Sequence, residues 1–329
     1  MIVIYITDAR TQYPPTVLTT LGLPIGAIQP YRYRLKWIQP SLRDRWRANQ
    51  LVGQPTLICY LEGNSGDLKG ARAFCVRTGT VVRSEIEHAY GIMQVELQAF
   101  PAVRNLADVT HLANDSNILS SGPPRGAYVL EVKLELPAPT LNPYSAWQET
   151  AKDLASSLTF NDASFAYLEG IFPQQVNSRP MPLKDGAIRL DPERAYDVRL
   201  HSIVSQRSLL RHEYYITADD TVLRIANTSP LHFRHKYWTF PLVARSGKAV
   251  GGASTMLAIR PEASILGTEI SQLVTVRPTL VGRLRNLALP SLSAATAATA
   301  GVLGESVPLW VKVVMVAGGS IGVAVAARR

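Results

Sequence analysis

The C-terminal part of the chain is nearly uncharged. Residues 286–327 carry only two charged side chains, Glu305 and Lys312, although the preceding chain is an ordinary mixture of polar and apolar residues. A short polar turn around Glu305 divides this part into two segments, 286–304 and 309–327. Each segment approaches the roughly 20 residues that a helix needs to cross about 30 Å of hydrocarbon. The pattern predicts a transmembrane helical hairpin.

Arginines flank this hairpin, which we assign to residues 287–327. Three of them lie in a basic juxtamembrane segment at 277–286, and residues 328–329 are also arginines. Positively charged residues stay on the cytoplasmic side of a membrane. A hairpin places both groups there, whereas a single span would leave one group on the far side. The first eight residues lack a basic leader and a long apolar run. We therefore expect a membrane protein whose body lies in the cytoplasm.

Small residues recur at four-residue spacing in both segments, which lets helix backbones approach each other closely. They are Ser293, Ala297 and Gly301, then Gly318, Gly322 and Ala326. We expect the hairpin to pack in the lipid bilayer as a homo-oligomer. The alternative for the whole tail is a soluble, buried helical hairpin or a flexible Ala-rich extension, because the first segment is only weakly apolar.

Lys312 lies near the far end of the second segment, beside Trp310. A charge within a span is costly unless it snorkels, pairs or faces water, and tryptophan is favoured at membrane interfaces. Two interpretations stay open. Lys312 either snorkels to the interface or lines a pore that several hairpins form together.

The composition of the chain fits a packed body with anionic partners. With 329 residues, 47% hydrophobic and 18% charged, the chain is expected to form two domains with packed cores. The formal charge of +9 favours lipid head groups, nucleic acid or nucleotides, although a merely basic protein has the same charge. Cys59 and Cys75 form no metal-binding or Cys-x-x-Cys pattern and are interpreted as reduced core thiols.

The first 136 residues predict a mostly β domain. Apolar and polar residues alternate at 93–99 and 128–136, which is typical of half-buried strands. Further strands are predicted at 2–7, 31–37, 56–62, 71–77 and 80–87. We expect residues 1–136 to form a small barrel-like domain. Prolines at 137–144 then predict a linker, because proline disrupts both helices and central strands.

Residues 145–276 predict a second domain of the β-sandwich kind. Ser145 is positioned to cap an initial helix whose buried face carries Trp147, Ala151, Leu154 and Leu158. Short strands are predicted at 165–172, 196–203, 213–217, 222–225, 236–244 and 255–260. The turn at 218–221 predicts a hairpin between 214–216 and 222–224. The fold class is therefore mainly β, with two β-rich domains followed by the membrane hairpin.

A basic and aromatic cluster in the first domain is a candidate site for an anionic ligand. A strand places alternate residues on opposite faces, so the basic residues of 31–37 share one face and the aromatic residues the other. Guanidinium groups combined with aromatic stacking hold single-stranded nucleic acid and nucleotides. The candidate residues are Arg32, Arg34, Lys36, Arg43, Arg45, Trp46 and Arg47. The alternative is an amphipathic strand followed by a solvated basic helix or turn.

A second cluster, at 232–238, adds Arg234 and Lys236 as candidate anion contacts. The alternative is that these residues simply begin a strand and have no binding role. His232 and His235 have a spacing that suits a metal, but two ligands do not make a site. No metal site is predicted.

Enzyme motifs do not occur in the sequence. It contains no G-x-S-x-G, G-x-x-x-x-G-K-[ST] or H-E-x-x-H pattern. The glycine-rich residues 63–70 and the pair Asp219-Asp220 are interpreted as turns. His88, His111, His201 and His212 are scattered along the chain, although a catalytic site assembled from distant residues stays open. Binding without catalysis or cofactor is the expectation.

These features together predict a non-enzymatic membrane effector. Its cytoplasmic β domains would sense an anionic ligand, such as a nucleotide or nucleic acid, or a partner protein. They would control an oligomeric hairpin that forms a pore or disrupts the membrane, an architecture that suits prokaryotic defence. Two alternatives stay open: a passive membrane-anchored scaffold, and an enzyme of unrecognised type.

Overall fold

The computed structural model describes residues 1–7, 13–62, 72–102, 105–106, 128–136, 142–175, 178–204, 213–226, 231–232, 237–245, 252–262 and 266–278. The hairpin at 287–327, with its small-residue positions, Trp310 and Lys312, lies outside these residues. Within the described part of the chain, no helix is long and apolar enough to cross a membrane.

The described chain is mainly β, as predicted. In chain order its elements are β1 Ile2–Thr7, α1 Tyr13–Gly22, β2 Ile28–Arg34, a 3-10 turn Leu35–Trp37, α2 Pro40–Arg47, β3 Pro55–Glu62, β4 Arg72–Glu87, β5 Tyr90–Leu97, β6 Asn105–Leu106, β7 Tyr128–Glu131, α3 Pro143–Ala155, β8 Ser164–Pro173, β9 Leu183–Lys184, β10 Ala187–Leu190, β11 Arg194–Val204, β12 Glu213–Thr217, β13 Leu223–Ile225, β14 Leu231–His232, β15 Tyr237–Ala244, β16 Ala253–Pro261 and β17 Ile270–Val276.

The N-terminal sheet is a half-barrel with the strand order β2-β5-β4-β3-β1-β7, and β6 pairs with β4. Strands β1 and β3 are parallel, and both are apolar runs that are buried on both faces. A parallel pair needs a long crossover connection, which α1, β2 and α2 supply. An isolated bridge between Ile38 and Val129 joins the segment after β2 to β7, so the sheet curls toward closure.

Strand β4 corrects the prediction of two strands at 71–77 and 80–87. Glycine usually weakens a strand. In the structure Gly79 lies inside β4, where β5 approaches so closely that a Cβ atom would lie 2.8 Å from the backbone oxygen of Glu96. Gly79 therefore permits close strand contact here. Helix α1 was not predicted, and a helix at the place of α2 was named only in the alternative interpretation of the basic cluster.

Two further sheets pack in a sandwich-like arrangement. Their strand orders are β14-β12-β16-β17-β10-β9 and β13-β15-β11-β8. The predicted hairpin between 214–216 and 222–224 is wrong, because β12 and β13 belong to different sheets. The Asp219 carboxylate accepts hydrogen bonds from the backbone N–H and the hydroxyl of Thr221, at 2.9 and 2.7 Å. This side-chain turn redirects the chain from one sheet to the other without strand pairing.

Helix α3 begins earlier than predicted. Asn142 is its N-cap, and the Asn142 Oδ1 accepts the backbone N–H of Ser145 at 2.8 Å. Trp147, Ala151 and Leu154 are buried, as predicted. Leu158 is wrong as a core position, since the helix ends at Ala155 and Leu158 is 80% exposed.

Two apolar clusters form the core. The larger contains side chains from both halves of the body, including Ile4, Val76, Trp147 and Leu200. The division at 137–144 stays a prediction. The smaller cluster, on the other face of the first sheet, contains both cysteines. Cys59 and Cys75 are buried and free, and lie opposite each other on β3 and β4. Burial raises the pKa of the Cys59 thiol well above its usual range, which disfavours the reactive thiolate.

Candidate functional site

The predicted alternation is confirmed from Tyr31 to Arg34, where it places two arginines outward on an edge strand. The predicted strand at 31–37 is wrong beyond Arg34, because residues 35–37 form a 3-10 turn. Tyr31 and Tyr33 are buried, whereas Arg32 and Arg34 are exposed. The Tyr31 hydroxyl is 2.8 Å from the Thr20 hydroxyl of α1, which fixes the buried face of the strand. Because Arg32 and Arg34 are exposed, the outward face of this end strand is accessible to a partner.

We call Arg32, Arg34 and Lys36 the basic row. All three are exposed, and none forms an ion pair with a carboxylate in the described part of the chain. The Arg32 guanidinium lies 4.1 Å from the centre of the Tyr90 ring, and the Lys36 ammonium lies 4.7 Å from the Trp37 ring. These contacts orient the cations and leave their N–H groups available to an anion.

The three arginines of α2 have structural partners instead. Arg43 Nε donates to the backbone oxygen of Ile38 at 2.8 Å. Arg45 pairs with Glu131 at 2.7 Å, and Arg47 pairs with Asp44 at 2.8 Å. Arg45 thereby links α2 to β7. Each α2 arginine is thus bound to a protein oxygen, whereas the three cations of the basic row have no hydrogen bond or ion pair to a protein oxygen in the described part of the chain.

Trp46 lies in the core and not at the surface. It is 1% exposed, and its Nε1–H donates to the backbone oxygen of Glu85 at 2.9 Å. Its ring is not open for stacking on a base. In the second predicted cluster, Arg234 and Lys236 lie outside the described residues.

A cavity of about 630 Å³ was not predicted from the sequence. We call it the His201 pocket. It lies where the start of α3 meets β8, β11 and the loop before β9. Its walls include Tyr144, Tyr167, Glu169, Pro180, Met181 and His201.

His201 is held by a carboxylate and by aromatic rings. Its Nε2 is 3.0 Å from Glu169 Oε2. Its ring stacks on Tyr144 with 3.9 Å between the ring centres, and the Tyr167 ring follows at 6.3 Å. A carboxylate only accepts hydrogen bonds, so the Nε2 atom carries the proton. The buried Nδ1 atom of His201 has no hydrogen-bond partner in the described part of the chain.

A β-bulge brings Glu169 to His201. The pairing of β11 with β8 moves from Arg199 opposite Gly170 to Leu200 opposite Leu168, so Glu169 is the extra residue. Bulges re-aim side chains in this way. Gly170 has a φ of +153°, and a Cβ atom there would lie 3.0 Å from Pro180. Gly170 inside an apolar strand was the one available signal for this site.

Arg77 lies beneath the Tyr167 wall and is fully buried. Its guanidinium is 3.9 Å from the Phe100 ring centre and 6.0 Å from that of Tyr167. Arg77 Nε donates to the backbone oxygen of Gln98 at 2.6 Å, but the other two nitrogens have no hydrogen-bond partner in the described chain. Burial lowers the pKa of Arg77 to about 10, so the side chain stays charged at neutral pH.

Replacing Arg77 with methionine is expected to raise the free energy of unfolding by about 1 kcal/mol. The pKa falls from 12.5 to about 10 on folding, which corresponds to a cost of about 3 kcal/mol. Loss of the hydrogen bond to Gln98 and of the ring contacts offsets part of this gain. Denaturant unfolding of the two proteins under identical conditions measures the difference.

The Arg77→Lys variant is the control, because it keeps the buried positive charge but removes the planar guanidinium group and its hydrogen bond to Gln98. This variant should be less stable than the wild type. A base with a lowered pKa destabilises the fold fully below its folded value. That cost fades only as pH rises from about 10 toward 12.5. The Arg77→Met difference should therefore be constant between about pH 6 and 9. A methionine variant less stable than the wild type would contradict this account.

Comparisons with known proteins add no functional information. No family model matches the chain, and no curated protein matches it. One solved structure with local similarity is that of S-layer protein SbsC domains 4 and 5, at 12% identity and a TM-score of 0.20. That match covers 34% of this chain and spans about half, 53%, of the other. The D0-D1 domain of Intimin has 7% identity and a TM-score of 0.22, and the match covers 78% of this chain and 94% of that one. Neither similarity is strong enough to support an inference.

Proposed function

We propose that the chain is a non-enzymatic membrane effector. Its body senses an anionic ligand in the cytoplasm through the basic row, and its C-terminal hairpin acts on the bilayer as a homo-oligomer. The finer architecture of this proposal is a barrel-like unit at 1–136, a sandwich-like unit at 145–276 and the hairpin at 287–327. Support comes from the charge of +9 and from the nearly uncharged tail.

The observation that carries the sensing role is the difference between the basic row and the neighbouring cations. Arg43, Arg45 and Arg47 are bound to protein oxygens, whereas the three cations of the basic row have no carboxylate partner in the described chain. Alternate residues on a strand lie about 6.6 Å apart. Arg32 and Arg34 are therefore spaced to contact neighbouring phosphates of one ligand. Arginine suits this task because its planar fork matches phosphate oxygens.

Edge-strand cations also have a protective role, since they discourage pairing with another sheet edge. Protection of the sheet edge requires only that the strand carries charge, whereas ligand binding requires cations at these particular positions. A nucleotide and a lipid head group share the phosphate that the basic row would contact. The test therefore compares positions at constant charge and uses free and membrane-bound phosphate separately.

Reversing the basic row, in the variant Arg32→Glu, Arg34→Glu, Lys36→Glu, is expected to weaken binding of tripolyphosphate or a nucleoside triphosphate by about 100-fold. Loss of about 3 kcal/mol of charge-assisted contacts corresponds to this factor. The measurement is calorimetric titration of the full chain in nanodiscs of neutral lipid. A second set of nanodiscs with anionic lipid tests head groups, by competition with the free phosphate.

The matched control reverses three exposed cations elsewhere on the body, Lys152, Lys184 and Arg224. It changes the net charge equally and should retain at least most of the affinity. Equal losses of affinity in both variants would show that only the net charge matters and would refute the proposed site. Binding without any ligand-dependent change in bilayer conductance would favour the passive scaffold over the effector.

A further inference from the structure

The His201 pocket is built from different elements than the basic row and has the opposite charge character. Among its described lining residues there is one carboxylate, Glu169, and no lysine or arginine. We propose that this pocket binds an organic cation, meaning a protonated nitrogen carried on a compact apolar or aromatic group. The volume of about 630 Å³ is in the range of small-molecule sites.

Glu169 supplies the counter-charge. Its Oε2 accepts the hydrogen bond from His201, and no other partner of this carboxylate lies in the described part of the chain. Its side chain is 36% exposed, so Oε1 remains open to a ligand at the pocket. A carboxylate with one oxygen fixed and the other free is a directed acceptor for an ammonium or amidinium N–H.

Tyr144 supplies the second attraction. The faces of aromatic rings carry negative partial charge and attract cations within about 6 Å. Tyr144 and Tyr167 both line the pocket, but Tyr167 is only 3% exposed, so Tyr144 is the ring that a ligand contacts. Tyr144 stacks on His201 at an interplanar angle of 30°, which holds its orientation before any ligand arrives. Met181 and the adjacent prolines provide apolar contacts for the group that carries the charge.

His201 acts as the positioning residue for Glu169. Its side chain is 11% exposed, and its proton lies on Nε2 toward the carboxylate. An anionic ligand would therefore meet the Glu169 carboxylate at this wall, whereas a cation is attracted by it.

Three probes of one shape and different charge test the proposal: benzylammonium, benzyl alcohol and benzoate. They are titrated calorimetrically against the full chain in neutral-lipid nanodiscs at one fixed pH. Benzylammonium is expected to bind at least about tenfold more tightly than benzyl alcohol, through the carboxylate and the Tyr144 ring face. Benzoate is expected to bind most weakly.

Two variants identify the groups responsible. Glu169→Gln keeps the shape and can still accept the bond from His201, so it should abolish the preference for benzylammonium and leave benzyl alcohol binding unchanged. Tyr144→Leu should weaken both probes, because it removes a wall of the pocket. Glu96→Gln, at an exposed position on β5, is the matched control and should change neither.

Several results would overturn the proposal. Benzoate binding as tightly as benzylammonium contradicts the charge argument. A preference that survives Glu169→Gln contradicts the assigned counter-charge. Absence of saturable binding by all three probes contradicts the site itself. The basic-row variant should bind benzylammonium like the wild type, so failure of the anion site and failure of this pocket are measured separately.

Discussion

A chain that ends at Arg285 is expected to move to the soluble fraction, whereas the full chain sediments with membranes. The truncation removes both nearly uncharged segments, each close to the length of a single span. A spanning helix holds a protein in the bilayer far more strongly than surface contacts do. The measurement is ultracentrifugation of lysed cells, followed by washing at high salt and high pH to release peripheral proteins.

The matched control keeps the tail and alters its helix contacts. Replacing Gly318 and Gly322 with isoleucine retains the apolar length but prevents close helix approach. This variant should stay with the membrane and form smaller assemblies in detergent. A full chain that is found in the supernatant without detergent would refute the membrane part of the proposal. Retention of the truncated chain after the salt wash would place the membrane contact in the body.

Replacing Trp147 with alanine is expected to lower the free energy of unfolding by about 3–5 kcal/mol, the range for truncating a buried large aromatic side chain. Trp147 has no exposed surface and belongs to the larger core cluster. Its ring lies between those of Tyr144 and Tyr167, with centre distances of 5.9 and 5.6 Å. The alanine variant therefore leaves a cavity directly behind the His201 pocket.

Denaturant unfolding followed by far-ultraviolet circular dichroism measures this loss without using tryptophan fluorescence. Leu158→Ala is the control from the same region of the chain. Because Leu158 is 80% exposed, its replacement should change stability by no more than about 0.5 kcal/mol. Equal effects of the two substitutions would contradict the assigned core. The Trp147 variant should also bind benzylammonium more weakly, since Tyr144 loses the ring that supports it.

One-sided burial explains which strands the sequence could predict. Strand β5 alternates because one face is buried, and Arg32 and Arg34 point outward for the same reason. Strands β1 and β3 are buried on both faces, so their composition identifies them as strands without revealing that they run parallel. The hairpin prediction at 218–221 failed because a turn motif specifies a reversal and not the sheet that follows it.

The two candidate sites differ in how far local sequence determines them. In the basic row, Arg32 and Arg34 follow from alternation within one strand, and Lys36 lies in the 3-10 turn directly after it. The His201 pocket depends on a bulge that moves Glu169 toward a histidine 32 positions later in the chain. No local sequence pattern predicts the contact between Glu169 and His201. Trp46 shows the converse case, because a basic and aromatic run suggested a surface whereas the helical period of α2 turns this ring inward.

The position of β1 has a consequence for synthesis of the protein. This strand is synthesised before both of its neighbours, yet it lies between β3 and β7 in the finished sheet. Its register with β7 pairs Ile2 with Glu131 and Tyr5 with Tyr128. One edge of an apolar strand therefore stays unpaired while more than a third of the chain is translated. Unpaired apolar edges invite association between nascent chains, so we expect β1 to need chaperone protection until β7 has been synthesised.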